Sequence, residues 1–217
     1  MKPLPFLLLT SALALAAAKG HAQRTPSEAA TAEQRLVEDL GTDQVPATAV
    51  PAAGDFRNVS TLTQNGNGNN ATIDQRSLST LGNQAYITQA GALNVLGLAQ
   101  NGGGNQVYMT QQGNGNRADF SQEGQNNSST LNQRGANNQL QGVVSGNENE
   151  LNIRQDGSYN RVQSEIRQND RTYNISQIGY GNTLTQRETT AQSPQGYSVE
   201  MRGAGINITI EQGRVVR

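Results

Sequence analysis

The sequence predicts an all-β fold: a β-solenoid of about six coils, each 22 residues of strand, arc, strand and arc, with the strands in two facing parallel sheets. Three observations predict it. First, an Asn recurs every eleven positions at Asn83, Asn94, Asn105, Asn116, Asn127, Asn138, Asn149 and Asn160, passes an Arg at 171 and returns at Asn182. Asn58 and Asn69 share the spacing and are set off from Asn83 by a three-residue insertion within 76–82. Second, within each unit the third and fifth positions are mostly apolar, the seventh is usually Gln and the ninth usually Gly. Third, only 34% of the residues are hydrophobic and 4% aromatic, with 24 Gly and no Trp, too little for an ordinary apolar core. Such a composition fits either a disordered chain or a thin structure held by backbone and amide hydrogen bonds. Strict phase favours the second, because composition alone does not produce it.

In chain order, residues 1–22 read as a secretory signal peptide. One Lys precedes an apolar run from Leu4 to Ala18, and cleavage is expected after Ala18 or Ala22; the run is too short for a membrane span. Residues 23–57 are rich in Ala, Pro and Thr and read as a flexible, disordered linker, with a candidate short helix over 27–40. The repeat occupies 58–190. In each unit, positions one, three, five and seven fall on one face of a strand because side chains alternate with period two, while even positions carry polar residues such as Thr61, Thr88 and Asp119. An arc of about four residues centred on Gly then reverses the chain. Beyond Arg187 the pattern fades and Pro194 interrupts it, so 191–217 reads as a divergent cap or strand segment in which Ile206, Ile208 and Ile210 again alternate before Gln212.

Alternate units differ, which sets the longer period. The units beginning at 58, 83, 105, 127, 149 and 171 always carry Gln and Gly at positions seven and nine. In the others the Gln position decays from Gln75, Gln100 and Gln122 to Val144, Ile166 and Glu188. A pair of units cannot bury its apolar face alone and must stack, with strands roughly 4.8 Å apart, so six coils make a column of roughly 29 Å. Gln89, Gln111, Gln133, Gln155 and Gln177 then form a ladder of side-chain amides along the axis.

Several chemistries are disfavoured. There is no Cys, and the one His, His21, lies in the expected signal peptide, which removes thiolate chemistry and the usual general base and zinc ligands. A net charge of −1 leaves no basic footprint for nucleic acid and little protection against self-association. Gly113-x-Gly115-x-x-Ala118 resembles a dinucleotide loop, but the chain after Asn116 continues as a strand where a helix is required. Calcium-binding arcs would need Asp where these carry Asn. Asp74 and Asp119 are outward surface charges and not a catalytic pair. Tyr86 and Tyr108 share an outward position one coil apart. No enzyme activity, cofactor or metal is expected.

The motif Gln-x-Gly-x-x-Asn resembles the repeat of curlins, the subunits of bacterial curli fibres. Its Gln-Gly-Asn trio occurs six times in phase: Gln64-Gly66-Asn69, Gln89-Gly91-Asn94, Gln111-Gly113-Asn116, Gln133-Gly135-Asn138, Gln155-Gly157-Asn160 and Gln177-Gly179-Asn182. The fuller form, with a following Ala and second Gln, runs from Gln64 to Gln75 and from Gln111 to Gln122. Family repeats commonly open with Ser, where Asn stands here except at Arg171. The resemblance implies a secreted subunit that meets periplasmic chaperones, crosses the outer membrane through a dedicated pore and assembles outside the cell into functional amyloid for adhesion and biofilm matrix. It implies a major, fibre-forming or a minor, nucleating role, and export targeting for 23–57. The decayed Gln positions and the Arg residues of the later units lean toward the minor subunit.

On this reading the partners are the chain itself and another curlin subunit. The docking faces are the first coil, Asn58 to Gln75, and the last, Arg171 to Thr190. Asp170, Arg171, Arg187 and Glu188 are candidate gatekeepers that slow premature assembly. The alternative is a monomeric secreted β-solenoid that binds carbohydrate or another surface.

Overall fold

A computed structural model describes residues 57–77, 79–188 and 195–213. The expected signal peptide, the linker up to residue 56 and the candidate helix over 27–40 lie outside the described residues. Within them the chain forms fourteen strands: β1 (Val59–Asn65), β2 (Asn70–Ser77), β3 (Gln84–Ala92), β4 (Val95–Gly103), β5 (Gln106–Asn114), β6 (Arg117–Gln125) and β7 (Ser128–Ala136). These continue as β8 (Gln139–Ser145), β9 (Glu150–Ser158), β10 (Arg161–Ile166), β11 (Thr172–Tyr180), β12 (Thr183–Glu188), β13 (Gly196–Ala204) and β14 (Asn207–Gln212). Odd strands make one seven-stranded sheet and even strands the other, each in consecutive order. All pairings are parallel, as a chain that returns to the same sheet after one circuit must give. Each odd strand with the even strand after it is one coil, so the described residues form a β-solenoid of seven coils.

The seventh coil, β13 with β14, extends the six expected. Thr172 pairs with Gly196 and Thr183 with Asn207, so two extra residues between these coils shift the sequence phase without shifting the register in space. The three-residue insertion after β2 is absorbed in the same way: Gln64 faces Gln89 and Asn65 faces Ala90. Ser77 folds into this longer arc, its Oγ donating to the Leu81 carbonyl at 2.9 Å.

Inward side chains alternate along every central strand, as in β5, where Val107, Met109 and Gln111 are buried. The core is one row of stacked apolar residues per inward position, including Leu131, Leu151, Ile153, Val162 and Leu184. Because neighbours lie one coil away, size is balanced along the axis and not within the strand. Gly142 holds an inward place beside Phe120, and a methyl there would collide with the Phe120 ring, which fills the space.

Most arcs use positive φ at two positions, and these differ in what they tolerate. In most arcs the residue just before the first position of the next unit sits in the left-handed α region, and there Leu93, Asn126, Asn137, Glu148, Tyr159 and Asp170 all adopt φ between 55 and 58°. The ninth position is more extreme: Gly113 and Gly135 have φ of 110 and 108°, outside the range of L side chains.

Candidate functional site

Four columns of side-chain amides run up the solenoid, two of Gln from the seventh positions and two of Asn from the first. In the odd sheet Gln64 Nε2 donates to Gln89 Oε1 (2.6 Å), Gln89 to Gln111 (2.7 Å), Gln111 to Gln133 (2.8 Å), Gln133 to Gln155 (2.8 Å) and Gln155 to Gln177 (2.9 Å). The second Nε2 proton reaches across the core to the facing sheet, from Gln111 to the Val95 carbonyl (3.1 Å) and from Gln133 to that of Arg117 (3.0 Å). In Gln89, Gln111, Gln133 and Gln155 both Nε2 protons are thus used, and each amide ties the sheets together as well as the coils.

The Asn columns run with the opposite polarity. Asn116 donates from both backbone N and Nδ2 to Asn94 Oδ1 (3.1 Å each), and Asn138 repeats this toward Asn116 (3.1 and 3.0 Å). Each Nδ2 also holds an arc: Asn94 donates to the Gly113 carbonyl (2.9 Å), Asn116 to Gly135 (3.0 Å), Asn138 to Gly157 (2.9 Å) and Asn160 to Gly179 (3.0 Å). The Gln-Gly-Asn trio thus has one physical meaning. Gln links coils through the core, Gly turns the arc, and Asn from the neighbouring arc clamps the glycine carbonyl. At the first two arcs Asn69 Nδ2 donates to Gly91 (3.1 Å), while Asn182 Nδ2 donates to Gly203 (3.1 Å) at the far end. Gly66 occupies the same place in the first arc, with φ of 111°.

The even-sheet Gln column is short. Gln75 donates to Gln100 (2.7 Å) and Gln100 to Gln122 (3.0 Å), but Val144 comes next and offers no acceptor. Gln122 turns instead to Ser129 Oγ at 2.7 Å, which accounts for a Ser at a third position otherwise mostly apolar. No sequence rule marked Ser129, since its role appears only once Val144 sits above Gln122.

Two of the four candidate gatekeepers are not at the surface. Arg171 and Glu188 are 6% and 0% exposed and form an ion pair inside coil 6, Arg171 Nε donating to Glu188 Oε1 at 2.8 Å. They stand at a first and a seventh position, where Asn and Gln stand elsewhere, so both side chains are forced inward. Their charges are thus enclosed within coil 6 and not displayed on its outer face. The Tyr173 hydroxyl donates to Glu188 Oε2, and burial together with that carboxylate pushes the phenol well above its ordinary range. It therefore stays a neutral donor. Asp170 is an exposed arc residue, and Arg187 is exposed with Glu165 at 3.3 Å.

On the outer face, Tyr86 and Tyr108 stack with ring centroids 5.0 Å apart and 12° between planes, over the Gln84 and Gln106 side chains. Asp74 pairs with Arg76 (3.1 Å) and Asp119 with Arg117 (2.8 Å) as exposed ion pairs of small energetic weight. Among the described residues no group of His, Cys, Asp and Glu could hold a metal, and no helix is long and apolar enough to cross a membrane.

Both ends of both sheets are open edges within the described residues: β1 and β2 at one end, β13 and β14 at the other. The inward residues of β2, including Ala71, Ile73 and Gln75, are only half-buried, as are Ile208, Ile210 and Gln212 of β14. The last such edge lies on coil 7, so the docking face expected at 171–190 is covered by β13 and β14. Compared with known protein families, curated proteins and solved structures, the chain matches none.

Interrupting a column tests whether it stabilises the fold. Gln133→Leu removes the acceptor of Gln111 and the donor to both Gln155 and the Arg117 carbonyl. The expected cost is about 1–3 kcal/mol for each buried group left unpaired. Asn132→Ala, on the exposed face of the same strand, should change stability by no more than about 0.5 kcal/mol. Urea unfolding of freshly prepared soluble chain measures both, and equal effects would remove the ladder as a source of stability.

Proposed function

We propose that this chain is a secreted structural subunit that polymerises into extracellular, curli-like functional amyloid serving adhesion and biofilm matrix, and that it acts by stacking, without catalysis. The observation that carries the reading is the set of amide columns in the core, which reach the open edges of β1 and β2, together with the open edges of β13 and β14. Unpaired backbone N–H and C=O groups on such edges template another strand, and in-register amides extend the same pairing from one chain to the next. The six in-phase Gln-Gly-Asn trios, with their resemblance to curlin repeats, support it, and so does the expected signal peptide. Loss of Gln from the later even-sheet positions, together with the charged core of coil 6, supports placing the chain as a minor, nucleating subunit beside a major one. Passage through an outer-membrane pore with periplasmic chaperones is part of the same proposal.

Incubation of the chain from residue 23 onward tests this. The expected product is a fibre with cross-β reflections near ~4.8 and ~10 Å; a stable soluble monomer would sink the reading. The stacked Tyr86 and Tyr108 favour a second reading, a monomeric solenoid whose outer face binds carbohydrate. That reading requires the monomer to persist and to lose binding on Tyr108→Ala.

A further inference from the structure

We infer that the chain joins an assembly through its coil 1 end, and that the surface it fits is the end coil of a different chain carrying Asn at both first positions and Gln at both seventh positions. The coil 7 end of a second copy is not that surface. The inference rests on the fibre-subunit reading and adds a polarity and a partner chemistry to it.

Column chemistry is graded along the axis. Coils 1 to 3 have all four column amides, the third as Asn105, Gln111, Asn116 and Gln122. Coils 4 and 5 lose the even-sheet Gln to Val144 and Ile166, and coil 6 has Arg171 and Glu188 in two of the four places. In coil 7 the places hold Gln195, Met201, Ile206 and Gln212.

The bond directions convert this grading into two unlike ends. Along the columns, Gln donates to the Gln of the later coil and Asn donates to the Asn of the earlier one. Coil 1 therefore presents Gln64 and Gln75 as acceptors, and the Gln75 Oε1 is buried without any hydrogen bond. It also presents the Asn58 and Asn69 backbone N–H groups, whose counterparts at Asn83 and Asn94 are taken by the Oδ1 of the coil before (2.9 and 3.1 Å). A docking coil must bring two Gln donors and two Asn acceptors.

Coil 7 does not bring them. Met201 has no side-chain N–H to give, and it ends the odd-sheet column by receiving Gln177 Nε2 on its sulfur at 3.6 Å. Ile206 takes the Asn182 Oδ1 with its backbone N at 3.0 Å but has no side-chain oxygen to offer onward. Gln195 is exposed and lies outside the column, which leaves Gln212 as the one column amide at this end. Coil 7 is instead keyed to coil 6 by contacts absent elsewhere: Tyr197 meets Tyr173 edge to face at 4.7 Å, and the Tyr173 hydroxyl reaches Gln212 Oε1 at 3.3 Å. Coil 1 of a second copy laid on coil 7 would find one of four columns continued. An end coil with the residues of coil 2 or 3 would continue all four.

The test gives coil 7 those residues. Fibres of the full-length triple variant Gln195→Asn, Met201→Gln, Ile206→Asn are sheared into seeds and offered to the wild-type chain, with growth followed by light scattering and fibre diffraction. Wild-type chain should elongate these seeds at least about tenfold faster than it grows on sheared wild-type material, since three hydrogen-bonded columns separate the two junctions. Gln64→Leu in the added chain should remove the preference for seeds of the single variant Met201→Gln and only weaken that for the triple variant, whose two Asn columns it leaves intact. Seeds of the single variant Met201→Gln, which restores one column, should give an intermediate rate and stand in for the triple variant if that fails to fold. Equal growth on all seeds, or a preference for Met201→Gln seeds that survives Gln64→Leu, overturns the inference and leaves the subunit reading intact. Absence of cross-β growth in every mixture overturns both.

Discussion

Glu188→Ala lowers the stability of the last two coils by about 3–5 kcal/mol, the usual cost of removing one partner from a buried ion pair. The substitution leaves the Arg171 guanidinium, 6% exposed, without this carboxylate and strips the Tyr173 hydroxyl of its strongest acceptor. Arg171→Asn exposes the other half of the same problem and should cost a similar amount. The double variant Arg171→Asn, Glu188→Gln puts back the residue types that coils 2 and 3 carry at these places, and should recover most of the loss. In a solenoid the damage stays local, because each coil contacts only its neighbours. Amide hydrogen exchange should therefore accelerate in β11 to β14 while β3 to β6 keep their protection. Losses that simply add in the double variant, or protection that falls evenly along the chain, would remove the ion pair as the feature holding coils 6 and 7 together.

Gly135→Ala is expected to be at least as damaging by a different route. Its φ of 108° costs an L residue about 1–3 kcal/mol of backbone strain, and the added Cβ would overlap the carbonyl oxygen of Gly157 in the next coil. That overlap can be relieved only by parting β7 from β9, which also breaks the Asn138 bond to the Gly157 carbonyl and the Gln133 bond to Gln155. A total loss above about 3 kcal/mol follows, since each such bond is worth about 1 kcal/mol. Gly181→Ala is the matched control: its φ is 65° and nothing lies within 4 Å of the added methyl, so the cost should be about 1 kcal/mol. Urea midpoints of the two variants give the comparison, and similar losses would refute the idea that stacking distance makes the ninth-position glycines obligatory.

Much of this structure was legible in the residues. The buried Gln and Asn and the arc Gly of the repeat lie where alternation and the period placed them, and Gln89 to Gln177 form the expected ladder. Coil 7 was only partly legible. The alternating Ile206, Ile208 and Ile210 marked a strand, but the phase change before it and the replacement of Asn by Gln195 and Ile206 concealed a full circuit. Arg171 and Glu188 stand at inward positions of the repeat, and both are buried despite their charge. Position was the better guide, because the pleat directs a side chain inward whatever its polarity.

Sequence by itself determined the period, the inward and outward faces and the identity of the columns. In a stacked repeat, residues one period apart become direct neighbours, so a one-dimensional pattern already specifies most contacts. Tertiary structure decided what depends on neighbours that the period does not relate. The Ser129 acceptor for Gln122, the Arg171 pair with Glu188 across the core and the Phe120 ring over Gly142 are each a local answer to one departure from the repeat. The opposed polarity of the Gln and Asn columns belongs to the same class. An amide can donate in either direction along an axis, and only the placement of facing carbonyls and arcs selects one.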